Sequence, residues 1–287
     1  MNTQELNGKL AVITGGSSGI GLAIAEALAK KGAQILIVAR NKAKLVDAAE
    51  KLSSHSALAI ETLSADISLL EDVKRISEKV STLAPCADII VNNAGIVSAG
   101  YLIDTPLEEW ERLYNINVRG LVGLLQQLAP AMEAQGLQDQ QPRHIVNIAS
   151  AAGILAVPGM SAYSATKAAV ISLSDCLRNE LAPAKIGVTT VCPTYVRTPI
   201  AETVKLFGRM DTPKTHKRVS KGFANAHLTG NDIARETLKA INKNKGLVVL
   251  GNDGKVGDII QRISRKIFNN QMAKMTLKNQ HKIPSIK

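Results

Sequence analysis

An apolar segment that runs directly into a glycine-rich turn and then into an alanine-rich helix constrains the fold more than any other feature. The segment LAVIT is followed by GGSSGIG and by LAIAEALAKKG, and the glycines Gly15, Gly19 and Gly21 give the spacing GxxxGxG. A strand, a glycine turn and a helix amino terminus in this order are typical of a dinucleotide site, where the backbone approaches a pyrophosphate closely. The alternative is a tight loop without a ligand.

Strand and helix patterns alternate along the rest of the chain. After LAVIT, the predicted strands are residues 34–39, 57–63, 87–91, 144–150, 187–192 and 246–250. Helical patterns separate them, at residues 42–52, 69–83, 105–135 and 164–182. This alternation predicts a single-domain α/β fold of Rossmann type, a doubly wound parallel sheet of about seven strands. We expect the domain to span residues 1–254, with a lid at about 194–228, where the pattern loosens.

The residue after the second strand indicates which cofactor is preferred. NAD-selective sites place an acid near this point for the ribose 2′-hydroxyl, whereas an arginine accommodates a 2′-phosphate. Here QILIVA is followed by Arg40. We therefore predict that NADP(H) is preferred, with NAD(H) as the alternative. Arg40 on an ordinary surface loop is the competing interpretation.

Catalytic chemistry is predicted at SAAGILAVPGMSAYSATK, where Lys167 follows Tyr163 by four residues. In a helix this spacing places the phenol and the ammonium on one face. A phenol with a pKa of about 10 is a poor proton donor or acceptor at neutral pH, and an adjacent cation lowers that pKa. We expect Tyr163 to titrate near neutrality, although a plain helix pair is the alternative. Ser150 lies at the end of the fifth strand, where parallel sheets bind ligands.

Asn117 lies among apolar residues of the long 105–135 segment. A buried amide in a helix needs hydrogen-bond partners and is typical of a bend or a bound water.

The motifs TGGSSGIG, NNAG and YSATK, together with Asn117 and Ser150, resemble those of the short-chain dehydrogenase/reductase family over about residues 7–250. The resemblance implies that Tyr163 exchanges a proton with the substrate oxygen. It further implies that Lys167 lowers the pKa of Tyr163 and holds the nicotinamide ribose, that Ser150 hydrogen-bonds the oxyanion and that Asn117 holds a relay water. Homodimers or homotetramers through the long helices are common in this family.

The same resemblance implies the cofactor contacts. The phosphates would meet the glycine turn, the adenine would meet Asp66 and Ile67, and the nicotinamide amide would meet the stretch after the sixth strand. The predicted cofactor residues are Gly15, Ser17, Ser18, Gly19, Ile20, Gly21, Arg40, Asp66, Ile67, Asn93, Ala94, Gly95, Tyr163, Lys167, Pro193, Val196 and Thr198. Thr194 departs from the pattern because family members usually carry glycine there. GGSSGIG with IVARN also resembles 3-ketodihydrosphingosine reductases.

The residues flanking the catalytic positions are mostly apolar, and they predict a lipophilic substrate. They are Val97, Tyr101, Ile154, Leu155, Val157, Met160 and Tyr195. We expect reduction of a ketone such as a long-chain 3-keto lipid or a steroid-like compound, with NADPH as the hydride source. The alternatives are an NAD(P)-linked alcohol or hydroxysteroid dehydrogenase working oxidatively, and an NADP(H)-sensing protein without turnover.

The net charge of +11 is concentrated in residues 255–287, which carry eight Lys/Arg and one acid. Val256, Ile259, Ile260, Ile263 and Ile267 recur there at helical spacing, which predicts a basic amphipathic helix. Its apolar face either docks on the protein or contacts an anionic membrane. Aromatic residues make up only 3% of the chain, which argues against single-stranded nucleic-acid binding. Nothing in the sequence supplies base readout, so we expect no specific nucleic-acid partner.

The cysteine spacing predicts no metal site and reduced core thiols, and no apolar signal or spanning segment is found. We expect a cytoplasmic protein. The alternative is a cytoplasmic protein in peripheral contact with a membrane.

Overall fold

A parallel sheet of seven strands runs through the protein, and the computed structural model describes residues 1–4, 6–56 and 58–278. The strands are β1 Leu10–Thr14, β2 Gln34–Ala39, β3 Ile60–Ser64, β4 Ile89–Asn92, β5 Arg143–Ile148, β6 Ile186–Pro193 and β7 Leu247–Leu250. Their order in the sheet is β3-β2-β1-β4-β5-β6-β7. The predicted α/β fold class, a Rossmann-type doubly wound sheet, is confirmed.

Ten helices surround the sheet within the described residues. They are α1 Gly19–Ala29, α2 Lys42–Ser53, α3 Leu70–Leu83, α4 Leu107–Tyr114, α5 Gly120–Asp139, α6 Ser161–Glu180, α7 Pro213–Ala224, α8 Gly230–Asn242, α9 Asn252–Ile263 and α10 Arg265–Lys278. No helix among them is both long and apolar enough to cross a bilayer.

Strands buried on both faces explain why the sheet carries helices on each side. In β1, Leu10 and Val12 pack into the core on one face, whereas Ala11 and Ile13 pack into the core on the other. Residues of α3, α5 and α6 complete the first core, and residues of α1, α2 and α8 complete the second. Near-continuous apolar strands are typical of such a parallel sheet.

The long helix predicted over 105–135 is interrupted at Asn117. A π-helical turn, Asn115–Arg119, joins α4 to α5, and α5 continues to Asp139. A side chain that hydrogen-bonds outside the helix is compatible with such a turn. Asn117 therefore marks a change in helix geometry, as expected for a buried amide.

Two predicted segments differ from the structure at their ends. The third strand was predicted from Ala57, which lies outside the described residues, and β3 begins at Ile60. The helical extension begins at Asn252 and extends to Lys278, and residues 279–287 of the predicted tail lie outside the described part.

The predicted burial of all three cysteines is wrong at one position. Cys86 and Cys192 are buried, but Cys176 is exposed on α6. Burial raises the pKa of the Cys192 thiol to about 12, so this residue is protonated at neutral pH.

The buried His144 on β5 makes the stability of the folded protein depend on pH. Its Nε2 lies 2.8 Å from Thr189 Oγ1, and burial lowers the pKa of the imidazole to about 3. Between that value and the ordinary value of about 6.5, the unfolded chain binds a proton that the folded chain does not. The stability from neutral His144 is therefore complete above pH 6.5 and declines as the pH falls toward 3.

We expect wild type to lose about 2 kcal/mol more than His144→Gln between pH 7 and pH 5, because only the wild-type side chain titrates. Urea unfolding at the two pH values measures this difference. His227→Gln, at an exposed histidine, is the control and should retain the wild-type loss. Equal losses in wild type and His144→Gln would contradict the assignment.

Candidate active site

Two adjoining cavities lie at the carboxyl end of the sheet. The first, of about 670 Å³, is bordered by the turn after β1 and the ends of β2 and β3, and we call it the glycine-turn cavity. The second, of about 450 Å³, contains Ser150, Tyr163 and Lys167, and we call it the tyrosine cavity. Ile20, Asn93, Gly95 and Thr198 line both cavities, so the two cavities share part of their walls.

The turn after β1 is built for close approach of a ligand to the backbone. Gly15 and Gly19 have φ values of +64° and +56°, which L residues with side chains rarely adopt. Ser18 precedes the first residue of α1, so the unpaired N–H groups of that helix lie beside Ser17 and Ile20 in the cavity wall. These donors and the helix dipole fit a pyrophosphate.

Gly21 belongs to the same motif but lines neither cavity. A Cβ atom on Gly21 would lie 2.4 Å from the carbonyl oxygen of Gly15. Its absent side chain therefore serves the packing of α1 on the turn.

Asn93 and Thr14 join the ends of β4 and β1. The side-chain amide of Asn93 donates to the carbonyl oxygens of Thr14 and Gly15, at 3.0 and 3.1 Å. The Thr14 hydroxyl accepts from the backbone N–H groups of Asn93 and Ala94, both at 3.1 Å. The Asn93 side chain thus holds the glycine turn in place from the cavity wall.

Basic side chains border the other end of the glycine-turn cavity. Arg40 follows β2 with its side chain 66% exposed and Nη1 3.7 Å from Asp66 Oδ2, and its carbonyl accepts from the Ser64 hydroxyl at 3.0 Å. Asn41 and Lys44 also line the cavity. These two were missed by the sequence analysis, although Lys44 stands one helical turn after Arg40 in the segment ARNKAK.

Asp66 and Ile67 follow β3 and line the same cavity, together with Ala94. The carboxylate of Asp66 accepts from the backbone N–H and the hydroxyl of Ser68, at 2.9 and 2.7 Å. These bonds close a turn that places Ile67, which is buried, in the part of the cavity wall where we predict the adenine.

Ser150, Tyr163 and Lys167 converge in the tyrosine cavity. Ser150 stands just after β5, where its hydroxyl accepts from Ala152 N–H at 3.1 Å and hydrogen-bonds the Tyr163 hydroxyl. Tyr163 and Lys167 lie in the first two turns of α6, and Lys167 Nζ is 5.9 Å from the centre of the Tyr163 ring. The i, i+4 spacing thus places both on the face that borders β5.

The expectation that Tyr163 titrates near neutrality is wrong for this arrangement. Burial raises the pKa of the phenol to about 12, with the Ser150 hydrogen bond acting in the opposite direction. The Lys167 ammonium donates to the carbonyl oxygen of Ile148 at 2.9 Å, and burial lowers its pKa to about 8. Desolvation is the largest cause of both shifts, and Tyr163 holds its proton at neutral pH.

Asn117 lines neither cavity and lies buried behind the catalytic side chains. Its amide accepts from the N–H of Ile96 at 2.9 Å and donates to the carbonyl of Ile96 at 3.0 Å. It also donates to Thr166 Oγ1 at 3.1 Å, and Thr166 donates to the carbonyl of Tyr163 at 2.8 Å. Asn117 therefore ties the segment after β4 to the helix that carries Tyr163.

Pro193 and Val196 line the tyrosine cavity, and Thr198 borders both cavities. Between them, Thr194 takes the place of the usual family glycine, and its side chain faces two glycines of the extension. A Cβ on Gly251 would lie 2.0 Å from Thr194 Oγ1, and one on Gly254 would lie 2.7 Å from Thr194 Cγ2. The missing side chains at Gly251 and Gly254 provide the space that Thr194 fills.

The tyrosine cavity has mostly apolar walls. Of the seven flanking residues predicted, five line it: Val97, Leu155, Val157, Met160 and Tyr195. Tyr101 instead packs against Arg209, and Ile154 packs on the core.

The segment 194–228 and α9 complete the walls. The segment adds Val204, Met210, Arg218, Val219 and Phe223, and α9 adds Asp253 and Gly254. The contribution of α9 was missed, because its sequence pattern predicted an extension separate from the site. Among the described residues, no three His, Cys, Asp or Glu side chains are grouped so as to hold a metal ion.

Comparison with known proteins gives a consistent result. The sequence model of the family described as short chain dehydrogenase matches residues 9–207. An oxidoreductase of Staphylococcus saprophyticus is 34% identical over 197 residues, which are 69% of this chain and 82% of that protein. "Probable oxidoreductase EphD" of Mycobacterium tuberculosis is 34% identical over 240 residues, but the chain spans only 40% of its length.

Solved structures of the same architecture contain nicotinamide cofactors. A short-chain dehydrogenase/reductase of Burkholderia phymatum in complex with NAD is 25% identical with a TM-score of 0.81, covering 92% of this chain and 96% of that one. A short-chain dehydrogenase of Sphingobium yanoikuyae in complex with NADPH is 30% identical with a TM-score of 0.71, covering 84% and 87%.

The contact between Thr194 and Gly254 gives a double-mutant test. Gly254→Ala adds a methyl group at the position 2.7 Å from Thr194 Cγ2, and we expect it to destabilise the protein by about 1–3 kcal/mol through overpacking. In a Thr194→Gly background the methyl group has room, so the same substitution should cost much less. Urea unfolding of the four proteins measures the coupling, and additive effects would contradict the packing described.

Proposed function

The chain belongs to the short-chain dehydrogenase/reductase family, and we propose that it is an NADPH-dependent carbonyl reductase that converts a lipophilic ketone into the secondary alcohol. It is an oxidoreductase by that membership. The observation that carries the proposal is the placement of Tyr163, Ser150 and Lys167 in an apolar cavity that opens onto the glycine turn.

The glycine-turn cavity fits a dinucleotide. Gly15 and Gly19 present backbone without side chains at positive φ, and the start of α1 supplies N–H donors for phosphate oxygens. Asp66 and Ile67 would border the adenine, while Pro193, Val196 and Thr198 would border the nicotinamide amide. When bound, the nicotinamide supplies the hydride that reduces the carbonyl carbon.

In the proposed reaction Tyr163 gives its proton to the substrate oxygen. Hydride addition to a ketone produces an alkoxide, which is a stronger base than a phenolate, so the proton transfer is favourable. The hydroxyl of Ser150, hydrogen-bonded to Tyr163, would also donate to the developing oxyanion. A pKa of about 12 keeps the phenol protonated at neutral pH, which is the form that donates a proton in the reductive direction.

Lys167 is proposed to stabilise the phenolate that remains after proton transfer. Its Nζ is fixed by the carbonyl of Ile148 at 2.9 Å, inside the cavity wall. Asn117, through Ile96 and Thr166, acts as a positioning residue for this pair. The water relay implied for Asn117 stays a prediction.

Arg40 and Lys44 support a preference for NADPH over NADH. Both border the glycine-turn cavity beside the end of β2, where a ribose 2′-phosphate would lie. One solved relative is a complex with NAD and another is a complex with NADPH, so the preference for NADPH in this chain is a proposal.

The apolar walls support a long-chain or steroid-like ketone. We propose that residues 194–228 act as a lid, because Val204, Met210, Val219 and Phe223 from this segment face the cavity. The resemblance to 3-ketodihydrosphingosine reductases is carried by two short motifs alone, and it stays a prediction about the substrate.

Two other functions use the same residues. An NAD(P)-linked alcohol or hydroxysteroid dehydrogenase would need Tyr163 deprotonated at the start of the reaction. An NADP(H)-sensing protein would bind the cofactor without turnover, and the assembled Ser150, Tyr163 and Lys167 argue against it.

Self-association and membrane contact belong to the same proposal. Leu107, Tyr114 and Leu137 on α4 and α5 are 69%, 54% and 52% exposed, which supports a homodimer or homotetramer through these helices. Peripheral contact with an anionic membrane through residues 255–287 is proposed as well.

Removing the proposed proton donor tests the proposal directly. We expect Tyr163→Phe to lower kcat for ketone reduction by about 10²–10⁴-fold, because the ring remains and only the hydroxyl is lost. NADPH oxidation followed by absorbance measures the rate, and NADPH fluorescence titration verifies that the variant still binds the cofactor. Wild-type rates in the variant would refute the role of Tyr163.

Substitution of Arg40 tests the cofactor preference. Arg40→Asp removes the proposed partner of the 2′-phosphate and introduces repulsion, so Kd for NADPH should rise at least tenfold while Kd for NADH changes little. Lys42→Asp, which makes the same charge change in the first turn of α2, is the control. An unchanged ratio of the two constants in Arg40→Asp would sink the assignment.

The pH profile tests Lys167. Its lowered pKa of about 8 means that the ammonium loses its proton as the pH rises through that value. Because a neutral amine no longer stabilises the phenolate, kcat/KM for reduction should fall above about pH 8. Initial rates from pH 6 to 10 with saturating NADPH show this, and a flat profile would contradict it.

A further inference from the structure

The C-terminal helices present an apolar stripe to the outside of the protein. Val256, Ile259 and Ile263 on α9 are 56%, 56% and 79% exposed, and Ile267 at the start of α10 is 53% exposed. We call these four residues the Ile face. The i, i+3, i+7 spacing places Val256, Ile259 and Ile263 along one side of α9, and Ile267 follows on the next helix, beyond the break at Ser264.

The opposite side of α9 is the one that packs on the protein. Gly254 and Gly257 are buried, and Cβ atoms there would lie 2.7 Å from Thr194 Cγ2 and 2.7 Å from Leu155 Cδ2. The docked side thus consists of glycines, which allow a close approach of the helix backbone. The alternative that the apolar residues dock on the body is therefore wrong for Val256, Ile259 and Ile263, whereas Ile260 is half-buried.

Cations flank the Ile face. Lys255, Arg262, Arg265 and Lys266 lie within and beside it in sequence. The acids of the two helices, Asp253 and Asp258, are both on α9, so the excess of positive charge lies on α10. The Asp258 carboxylate accepts from Arg262 Nε at 3.0 Å. Exposed isoleucines bordered by lysines and arginines are the pattern of helices that lie in the interface of an anionic bilayer.

We infer that the Ile face is a docking surface for an anionic lipid bilayer and that substrate enters the tyrosine cavity from that side. The second part rests on the proposed reduction of a lipophilic ketone. The first turn of α9 supplies Asp253 and Gly254 to the cavity wall, so a docked α9 brings the cavity close to the lipid. Tyr195, 52% exposed, lines the same cavity.

A second copy of the chain is a weaker candidate for the occupant. A symmetric contact through the Ile face would bring two sets of four cations together, and like charges at an interface are unfavourable. An anionic bilayer satisfies both the apolar side chains and the cations.

Vesicle co-sedimentation of the full-length chain, without substrate, tests the docking surface. We expect wild type to pellet with vesicles of phosphatidylserine and phosphatidylcholine and to remain in solution with phosphatidylcholine alone. Ile259→Asn/Ile263→Asn should lower the partition coefficient by about tenfold or more, because two inserted side chains are lost. Arg265→Glu/Lys266→Glu should lower it as well and should reduce its salt dependence.

Val46→Asn/Leu70→Asn is the matched control, since it changes two aliphatic residues that are 55% and 51% exposed on α2 and α3. It should pellet as wild type does. Equal pelleting of Ile259→Asn/Ile263→Asn and wild type would overturn the inference. So would a loss of self-association in that variant with vesicle binding unchanged, because the Ile face would then contact a second copy.

Activity separates this inference from the proposed function. Ile259→Asn/Ile263→Asn should reduce a short water-soluble ketone at the wild-type rate, and a long-chain ketone dissolved in anionic vesicles several-fold more slowly. Vesicle binding with no turnover of either ketone would refute the proposed reductase and leave the docking surface standing. Equal rates on the vesicle-bound ketone would overturn the entry route.

Discussion

The hydrogen bonds between the ends of β1 and β4 hold the whole site together. Thr14 and Asn93 exchange four bonds of 3.0–3.1 Å with each other and with the neighbouring Gly15 and Ala94. They fix the glycine turn beside the segment after β4, and Asn93 lines both cavities. Because the two strands are parallel, their carboxyl ends lie at the same edge of the sheet. The hydrogen bonds between these ends form part of the cavity wall there.

A second set of hydrogen bonds positions Tyr163 and Lys167. Asn117 clamps both backbone groups of Ile96 and reaches Thr166, which in turn holds the carbonyl of Tyr163. Lys167 is held by Ile148 at the end of β5. Tyr163, the proposed proton donor, thus stands on a helix that these bonds tie to the ends of β4 and β5, as a preorganised site requires. The glycine side of α9 closes the far wall through Thr194 and Leu155.

Much of this could be predicted from the sequence. Apolar strands, the glycine turn and the spacing of Tyr163 and Lys167 are local patterns, and they correctly predicted the sheet and the helix that carries Tyr163 and Lys167. The pKa of Tyr163 could not be predicted, because it depends on how far the folded protein desolvates the phenol and on its hydrogen bond with Ser150. The side of α9 that packs on the body could not be predicted either, because the isoleucines suggested that the apolar face would pack there. The structure docks Gly254 and Gly257 instead, and only tertiary packing decides between the two sides.

The central claim is that an apolar cavity joins a protonated tyrosine to a nicotinamide site in order to reduce a lipophilic ketone. The most direct measurement is kcat/KM for NADPH-dependent reduction across a series of ketones that differ only in alkyl chain length. The account predicts that kcat/KM rises with each added methylene until the cavity of about 450 Å³ is filled. A series in which short polar ketones are reduced best, or in which chain length has no effect, would contradict it.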